Sequence, residues 1–131
     1  MKYFICALNE IRLGFPAEFT ERIITVSRMH THITESEEQE TFVSIPLLFR
    51  QSAGSPHGLV LRSDRVNRYL QGKIILVMPK IETDLEIPDE KVHALPAGFS
   101  GIYSFIKGIC FADRNMVLII DPILLLDMLY G

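Results

Sequence analysis

The sequence has no tryptophan, only two cysteines and no long hydrophobic segment. Apolar runs such as 74–78 and 116–120 span five residues, against about 20 residues for a helix that crosses a bilayer. Cys6 and Cys110 lie in apolar segments, where a reduced, buried thiol is the usual state, and no disulfide framework is expected. The first ten residues lack the apolar stretch and cleavage site of a signal peptide. We therefore expect a cytoplasmic protein.

An excess of positive charge is also lacking. The 131-residue chain carries 13 basic and 16 acidic side chains, a net charge of −3, so no overall field attracts nucleic acid or anionic lipid. One basic cluster, in which Arg62, Arg65, Arg68 and Lys73 surround Tyr69, offers a patch for single-stranded nucleic acid. A solvated hairpin or the charged part of a protein-binding site explains the cluster equally well. Nucleic acid is not the expected partner.

Short strands are predicted along the whole chain. Hydrophobic residues make up 48% of the sequence and charged residues 22%, which is the balance of a folded domain. Seven prolines and eight glycines separate short apolar segments, a spacing typical of strands. These segments lie at residues 2–8, 11–15, 23–28, 41–49, 58–62, 73–78, 92–95, 101–111 and 116–120. Asp121 followed by Pro122 has the pattern of a helix N-cap and a first helical residue, which predicts a short C-terminal helix.

These elements favour an all-β protein built from two small barrels that lie side by side. A chain of this length forms one domain, or two very small units that share a core. We expect a single domain over residues 1–131, with the first barrel in residues 1–52. The second barrel and the C-terminal helix then occupy residues 53–131.

Few residues suggest catalysis. His30 and His32 on an extended segment would place both imidazoles on one face, near Glu35 or Glu37, which makes them a candidate metal site. Solvent-facing histidines beside the acidic loop 35–40 are the simpler interpretation. The sequence contains no phosphate loop, nucleophile elbow or paired-cysteine zinc site. We expect no enzymatic activity and no bound cofactor or metal.

The C-terminal part of the chain carries an ordered set of motifs. The segment 106–109, Ile-Lys-Gly-Ile, is followed six residues later by the apolar segment 116–121, which ends in Asp, and then by the leucine pair 125–126. This order resembles the closing signature of CheW-like domains. The segment 3–8, followed by 13–16, Leu-Gly-Phe-Pro, is similar to the family's opening hairpin. The segment 57–61 is similar to the strand that opens its second half. The resemblance implies two five-stranded SH3-like barrels.

The first half departs from the family pattern. Family members usually carry a Gly-x-Ile-x-x-Arg-Gly turn there, whereas residues 29–49 contain no glycine, and we expect an abbreviated first barrel. The family's Val-x-Glu-Ile stretch appears here as residues 20–23, Thr-Glu-Arg-Ile. A basic residue, Arg22, stands where an acidic one is usual.

The resemblance implies a non-catalytic adaptor that couples chemoreceptor tips to a CheA-type histidine kinase. Thr20, Arg22 and Ile23 match the strand that contacts receptors in the family, and Lys107 and Gly108 lie in the matching strand of the second half. These five are the candidate partner-binding residues, and the second half is expected to provide the main docking surface. The alternative is a small barrel protein that binds another protein or nucleic acid outside chemotaxis.

Overall fold

The computed structural model describes residues 1–26, 34–35, 40–51, 54–66, 72–95, 103–112 and 114–130. Strands dominate it: β1 (Lys2–Leu8), β2 (Ile11–Pro16), β3 (Thr20–Thr25), β4 (Thr34–Glu35), β5 (Glu40–Ser44), β6 (His57–Leu61), β7 (Lys73–Met78), β8 (Ile81–Glu86), β9 (Ile106–Ala112) and β10 (Asn115–Ile120). The α-helices are α1 (Ile45–Leu48), α2 (Ser63–Val66) and α3 (Pro122–Tyr130). Across the described ranges, no helix is long and apolar enough to cross a membrane.

The chain divides into two compact units. One, here called the terminal unit, comprises Met1–Ala17 and Glu82–Gly131, and the other, the central unit, comprises Glu18–Ile81. These units do not coincide with the sequential halves 1–52 and 53–131. The reason is strand pairing, because the N-terminal hairpin joins a C-terminal strand rather than the strands that follow it.

The terminal unit contains a five-stranded sheet in the order β8-β1-β2-β10-β9. Strands β1 and β2 form an antiparallel hairpin, as do β9 and β10, and the parallel pair of β2 with β10 joins the two hairpins. One face of the sheet packs a buried cluster of Tyr3, Ile5, Ile87, Cys110, Val117 and Ile119. These side chains come from β1, β9 and β10 and from the segment after β8, so the N-terminal and C-terminal parts of the chain share one core.

The central unit contains a second five-stranded sheet, in the order β3-β6-β7-β5-β4. Here the parallel pair is β5 with β7, and the pairs β3–β6, β6–β7 and β4–β5 are antiparallel. Val60, Ile75 and Val77 form a buried cluster, and Ile24, Val26 and Phe42 pack against it. Alternate residues of β3 therefore face this core, and those between them face away.

The structure confirms the mostly β class, with two five-stranded sheets and a short C-terminal helix. The closure of each sheet into a barrel is not seen, since no ladder joins the first and last strands of either sheet within the described ranges. At α3, Asp121 Oδ1 accepts hydrogen bonds from the Ile123 N–H at 2.8 Å and the Leu124 N–H at 3.3 Å. The predicted N-cap is therefore confirmed.

Several strand predictions need correction. The segment predicted at 101–111 is a strand only from Ile106, because residues 103–105 form a turn. The segment 41–49 is extended only as far as Ser44, because Pro46 lies in the first turn of helix α1, where its missing N–H costs nothing. Strand β8 was not predicted, because most of its residues are charged or polar and exposed at a sheet edge. In residues 92–95, the structure contains only a single bridge, between His93 and Ile109.

Candidate protein-binding site

Thr20, Arg22 and Ile23 lie on β3, an edge strand of the central sheet. Strand β3 pairs with β6, and the register shifts between Thr20 and Arg22, which leaves Glu21 without a direct partner residue. Such a bulge bends the strand and redirects the side chains beside it. Arg22 and Ile23 are exposed, and the Ile23 side chain retains 42% of its accessible surface.

A cleft lies at the Thr20 end of this strand and has a volume of about 410 Å³. It is bounded by β3, by the start of β7 and by the turn from β6 into helix α2. Its lining is almost entirely polar and consists of Thr20, Glu21, Arg62, Ser63, Asp64 and Lys73. We call it the β3 cleft.

Glu21, in the lining of the β3 cleft, contacts two cations. Its carboxylate accepts a hydrogen bond from Lys73 Nζ at 2.8 Å, and Arg22 Nε lies 3.9 Å from it. The Lys73 hydrogen bond is the main cause that lowers the pKa of Glu21 below its ordinary value, and the positive charges of Lys73, Arg22 and Arg62 add to it. Glu21 is therefore ionised at neutral pH.

The charges that line the β3 cleft are paired with one another. Arg62 Nε lies 3.4 Å from Asp64 Oδ1, and Arg65 lies over the ring of Phe19 at 5.8 Å. The two cations that line the β3 cleft, Arg62 and Lys73, are thus balanced by its two carboxylates, Glu21 and Asp64. Arg22 and Arg65 are not among the lining residues.

The hydroxyl of Thr20 adds a further polar group to the β3 cleft. Its Oγ1 atom is buried and makes no hydrogen bond to any described residue. A buried hydroxyl without a partner is costly, so Thr20 Oγ1 lowers the stability of the fold at this end of β3.

Lys107 and Gly108 lie on β9, the edge strand of the terminal sheet, and so belong to the other unit. Lys107 is exposed, whereas Gly108 is buried. The backbone of His93 covers this part of β9, since it exchanges hydrogen bonds of 2.7 and 2.8 Å with Ile109. A Cβ atom at position 108 would lie 2.5 Å from the His93 carbonyl oxygen. Gly108 therefore permits close backbone packing, and its contact with a partner stays a prediction.

The terminal unit exposes an apolar pair instead of a charged cleft. Phe111 on β9 lies opposite Met116 on β10, and the two retain 66% and 43% of their accessible surface. Exposed apolar side chains that adjoin each other are common in binding surfaces. The sequence analysis did not select this pair, because alternation within an apolar strand does not show which residues face solvent.

Two groups of residues with potential chemistry remain, the cysteines and the metal-ligating side chains of the described ranges. Burial raises the pKa of the Cys6 thiol to about 12, and it also raises that of Cys110, so neither thiol is nucleophilic at neutral pH. Among the described residues, no three His, Cys, Asp or Glu side chains are placed to hold a metal. His30, His32, Arg68 and Tyr69 lie outside the described ranges.

Sequence reasoning selected some of the residues of the β3 cleft for a different reason. Arg62 and Lys73 were assigned to a basic cluster, and Thr20 was selected through the resemblance. The pairing of Glu21 with Lys73, which lie 52 positions apart, was missed. Its only signal in the sequence is that both residues lie at the ends of apolar strands.

The fold was compared with those of known proteins. No protein-family model and no curated protein sequence matches this chain. Among solved structures, it is similar to the crystal structure of the scaffolding protein TtCheW from Thermoanaerobacter tengcongensis, with a TM-score of 0.70 and 14% sequence identity. The similarity covers 92% of this chain and 84% of that chain. The chain therefore has a CheW-like fold, as the resemblance in its motifs predicted.

Proposed function

We propose that this protein is a non-catalytic adaptor of the cytoplasm in chemotaxis-type signal transduction, coupling chemoreceptors to a CheA-type histidine kinase. The observation that carries this proposal is the similarity of its fold to that of a scaffolding protein over 92% of the chain. The motifs of the terminal unit support the same assignment.

An adaptor needs a separate surface for each partner, and the two units expose surfaces of different chemistry. The central unit exposes the charged β3 cleft with Arg22 beside it. The terminal unit exposes the apolar pair of Phe111 and Met116. We therefore assign one partner to each unit.

The experiment is a binding titration with a receptor-tip fragment and with the regulatory domain of a CheA-type kinase. We expect this protein to bind both at once, so that the three elute as one complex in size-exclusion chromatography. Arg22→Gln should weaken binding of one partner about fivefold, as expected for a charge at the rim of an interface. Phe111→Ser should weaken binding of the other by about tenfold or more, as expected for an aromatic anchor.

The matched control is Lys80→Gln, which removes the same charge from an exposed position beyond the far end of β7. It should change neither affinity. Failure of the unmodified protein to bind either partner would contradict the adaptor function. Loss of both partners in a single, fully folded variant would contradict the assignment of one partner to each unit.

A further inference from the structure

His57, the first residue of β6, holds the chain at the point where it leaves the central unit. Its Nδ1 atom accepts a partly buried hydrogen bond from the Ile81 N–H at 3.0 Å. Ile81 is the last residue of the central unit and the first residue of β8, a strand of the terminal sheet. Only Pro79 and Lys80 separate it from the end of β7. The His57 side chain therefore fixes the chain just beyond the central sheet.

This hydrogen bond requires a neutral ring. A backbone N–H can only donate, so Nδ1 accepts through its lone pair and carries no proton. A second proton on the ring would occupy that lone pair, and Nδ1 and the Ile81 N–H would then be two donors that face each other at 3.0 Å. Histidine side chains change charge between about pH 5 and pH 8. The bond therefore depends on pH within that range.

The strands beside His57 do not favour a protonated ring. In the two ladders, His57 lies opposite Thr25 of β3 and Met78 of β7, and neither residue carries charge. The ionisable residues of β3 and β7 lie toward the other ends of these strands and are Glu21, Arg22 and Lys73. These ladders thus place no carboxylate opposite His57 that would stabilise an imidazolium.

The neighbours of Ile81 in the sequence do not replace His57 as an acceptor. The side chains of Pro79 and Lys80 contain no acceptor atom. Glu82 accepts a hydrogen bond from Arg12 at 2.9 Å. Loss of the Nδ1 lone pair therefore leaves the Ile81 N–H without its partner, which is unfavourable for a partly buried donor.

We propose that His57 is a pH-dependent switch, which holds residues 79–81 while its ring is neutral and releases them when the ring is protonated. The bond contributes stability above the range in which the ring titrates, and the contribution is lost as the pH falls through that range. Because Ile81 begins β8, release also frees the start of that strand. The switch acts whichever partners the protein binds, since both bonded groups belong to the central unit.

The test follows the Ile81 amide by NMR in the full, ¹⁵N-labelled chain between pH 7.5 and pH 5.0. We expect its hydrogen-exchange protection factor, which is corrected for the intrinsic effect of pH, to fall about fivefold or more as the His57 ring is protonated. The Val26 N–H is the internal control. It donates to the carbonyl oxygen of Pro56 at 2.8 Å, next to His57, and its bond needs no imidazole. Its protection should stay unchanged.

Three variants separate the acceptor from the charge. His57→Asn places an oxygen near the position of Nδ1 and does not titrate, so Ile81 should stay protected at both ends of the pH range. His57→Phe has no acceptor, so the low protection should be present at both ends. His93→Asn is the matched control, because His93 bonds to Ile109 through its backbone, and it should leave the Ile81 titration unchanged.

A constant protection factor for Ile81 from pH 7.5 to pH 5.0 in the unmodified protein would overturn the proposal. An equal fall in His57→Asn, or a fall that disappears in His93→Asn, would also overturn it. If His57→Asn does not fold, the titration of the unmodified protein decides the question alone. The kinase and receptor fragments test the adaptor function separately, and the Ile81 titration is measured without them.

Discussion

The two units share a sheet plan but differ at their edges. In each, a group of three strands is joined to a hairpin through one parallel pair, β2 with β10 in the terminal unit and β7 with β5 in the central unit. The terminal edge strand β9 is bridged by His93 at Ile109, whereas the central edge strand β3 has an open cleft at its end. The comparison shows that two sheets with the same strand plan can differ in what covers their edge strands.

The other edge of the terminal sheet, β8, is acidic, but its charges are matched locally. Glu82 pairs with Arg12 at 2.9 Å and Asp84 pairs with Lys2 at 3.2 Å. Charged side chains on an edge strand discourage unwanted pairing with other chains. Strand β3 also carries charge, with one exposed carboxylate, Glu21, and one exposed cation, Arg22. The expectation that the second half of the chain provides the main docking surface stays a prediction.

The largest expected effect is a loss of stability in the terminal unit, caused by disrupting the contact between the His93 backbone and strand β9. Gly108→Ala places a Cβ 2.5 Å from the His93 carbonyl oxygen, a backbone atom that cannot rotate away. We expect a loss of about 3 kcal/mol in the free energy of unfolding, measured by urea denaturation. The control is Gly54→Ala, where the new Cβ meets nothing within 4 Å. Equal stability of the two variants would show that the His93 segment does not restrain β9.

A bulky substitution at Gly108 would not test partner contact, although Gly108 is a candidate partner-binding residue. The side chain would have to displace the Val92–His93 backbone before it met a partner. Lys107 is the better position, because its side chain is exposed on the same strand.

A smaller loss is expected at the equivalent close approach in the central unit. At Gly58, an added Cβ would lie 2.8 Å from Ile75 Cγ2, the end of a side chain rather than backbone. Because that methyl group can shift at the expense of core packing, we expect Gly58→Ala to cost about 1.5 kcal/mol in the same urea titration. If Gly58→Ala proves more damaging than Gly108→Ala, the central unit is the more tightly packed of the two, contrary to this comparison.

Helix capping gives a third contrast between the units. Asp121 accepts two backbone hydrogen bonds at the start of α3, whereas Ser44 makes no side-chain cap hydrogen bond at the start of α1. Asp121→Ala should lower the free energy of unfolding by about 1 kcal/mol, and Asp121→Asn should restore most of it. Ser44→Ala should cost less. Thermal melting of the three variants measures these differences, and a Ser44→Ala loss equal to that of Asp121→Ala would contradict them.

Most of the fold was predictable from local signals. Strands such as β7, with its continuous apolar residues, and the Asp121 cap follow from pattern alone, since neighbouring residues determine them. The division into units was not predictable in this way, because it depends on the parallel pairing of β2 with β10 across about a hundred residues. The β3 cleft likewise depends on Glu21 meeting Lys73 through the tertiary fold. Thr20 and Arg22 were candidates from the sequence, whereas the contact of the neighbouring Glu21 with Lys73 is seen only in the structure.

The smallest expected effect is the pH dependence of stability that Glu21 gives to the central unit. Because Lys73 lowers the pKa of Glu21 below its ordinary value of 4.5 in the folded state, ionised Glu21 contributes stability above that value. The contribution is lost as the pH falls through the folded pKa. The stability difference between the unmodified protein and Glu21→Gln should therefore be constant from pH 7 to pH 5 and shrink below pH 4.5. Glu10→Gln, which removes an exposed carboxylate from a turn of the terminal unit, is the control. A Glu21→Gln difference that grows on acidification would reverse the sign of the linkage and contradict the Glu21–Lys73 contact, because a carboxylate stabilised by a cation cannot gain from protonation.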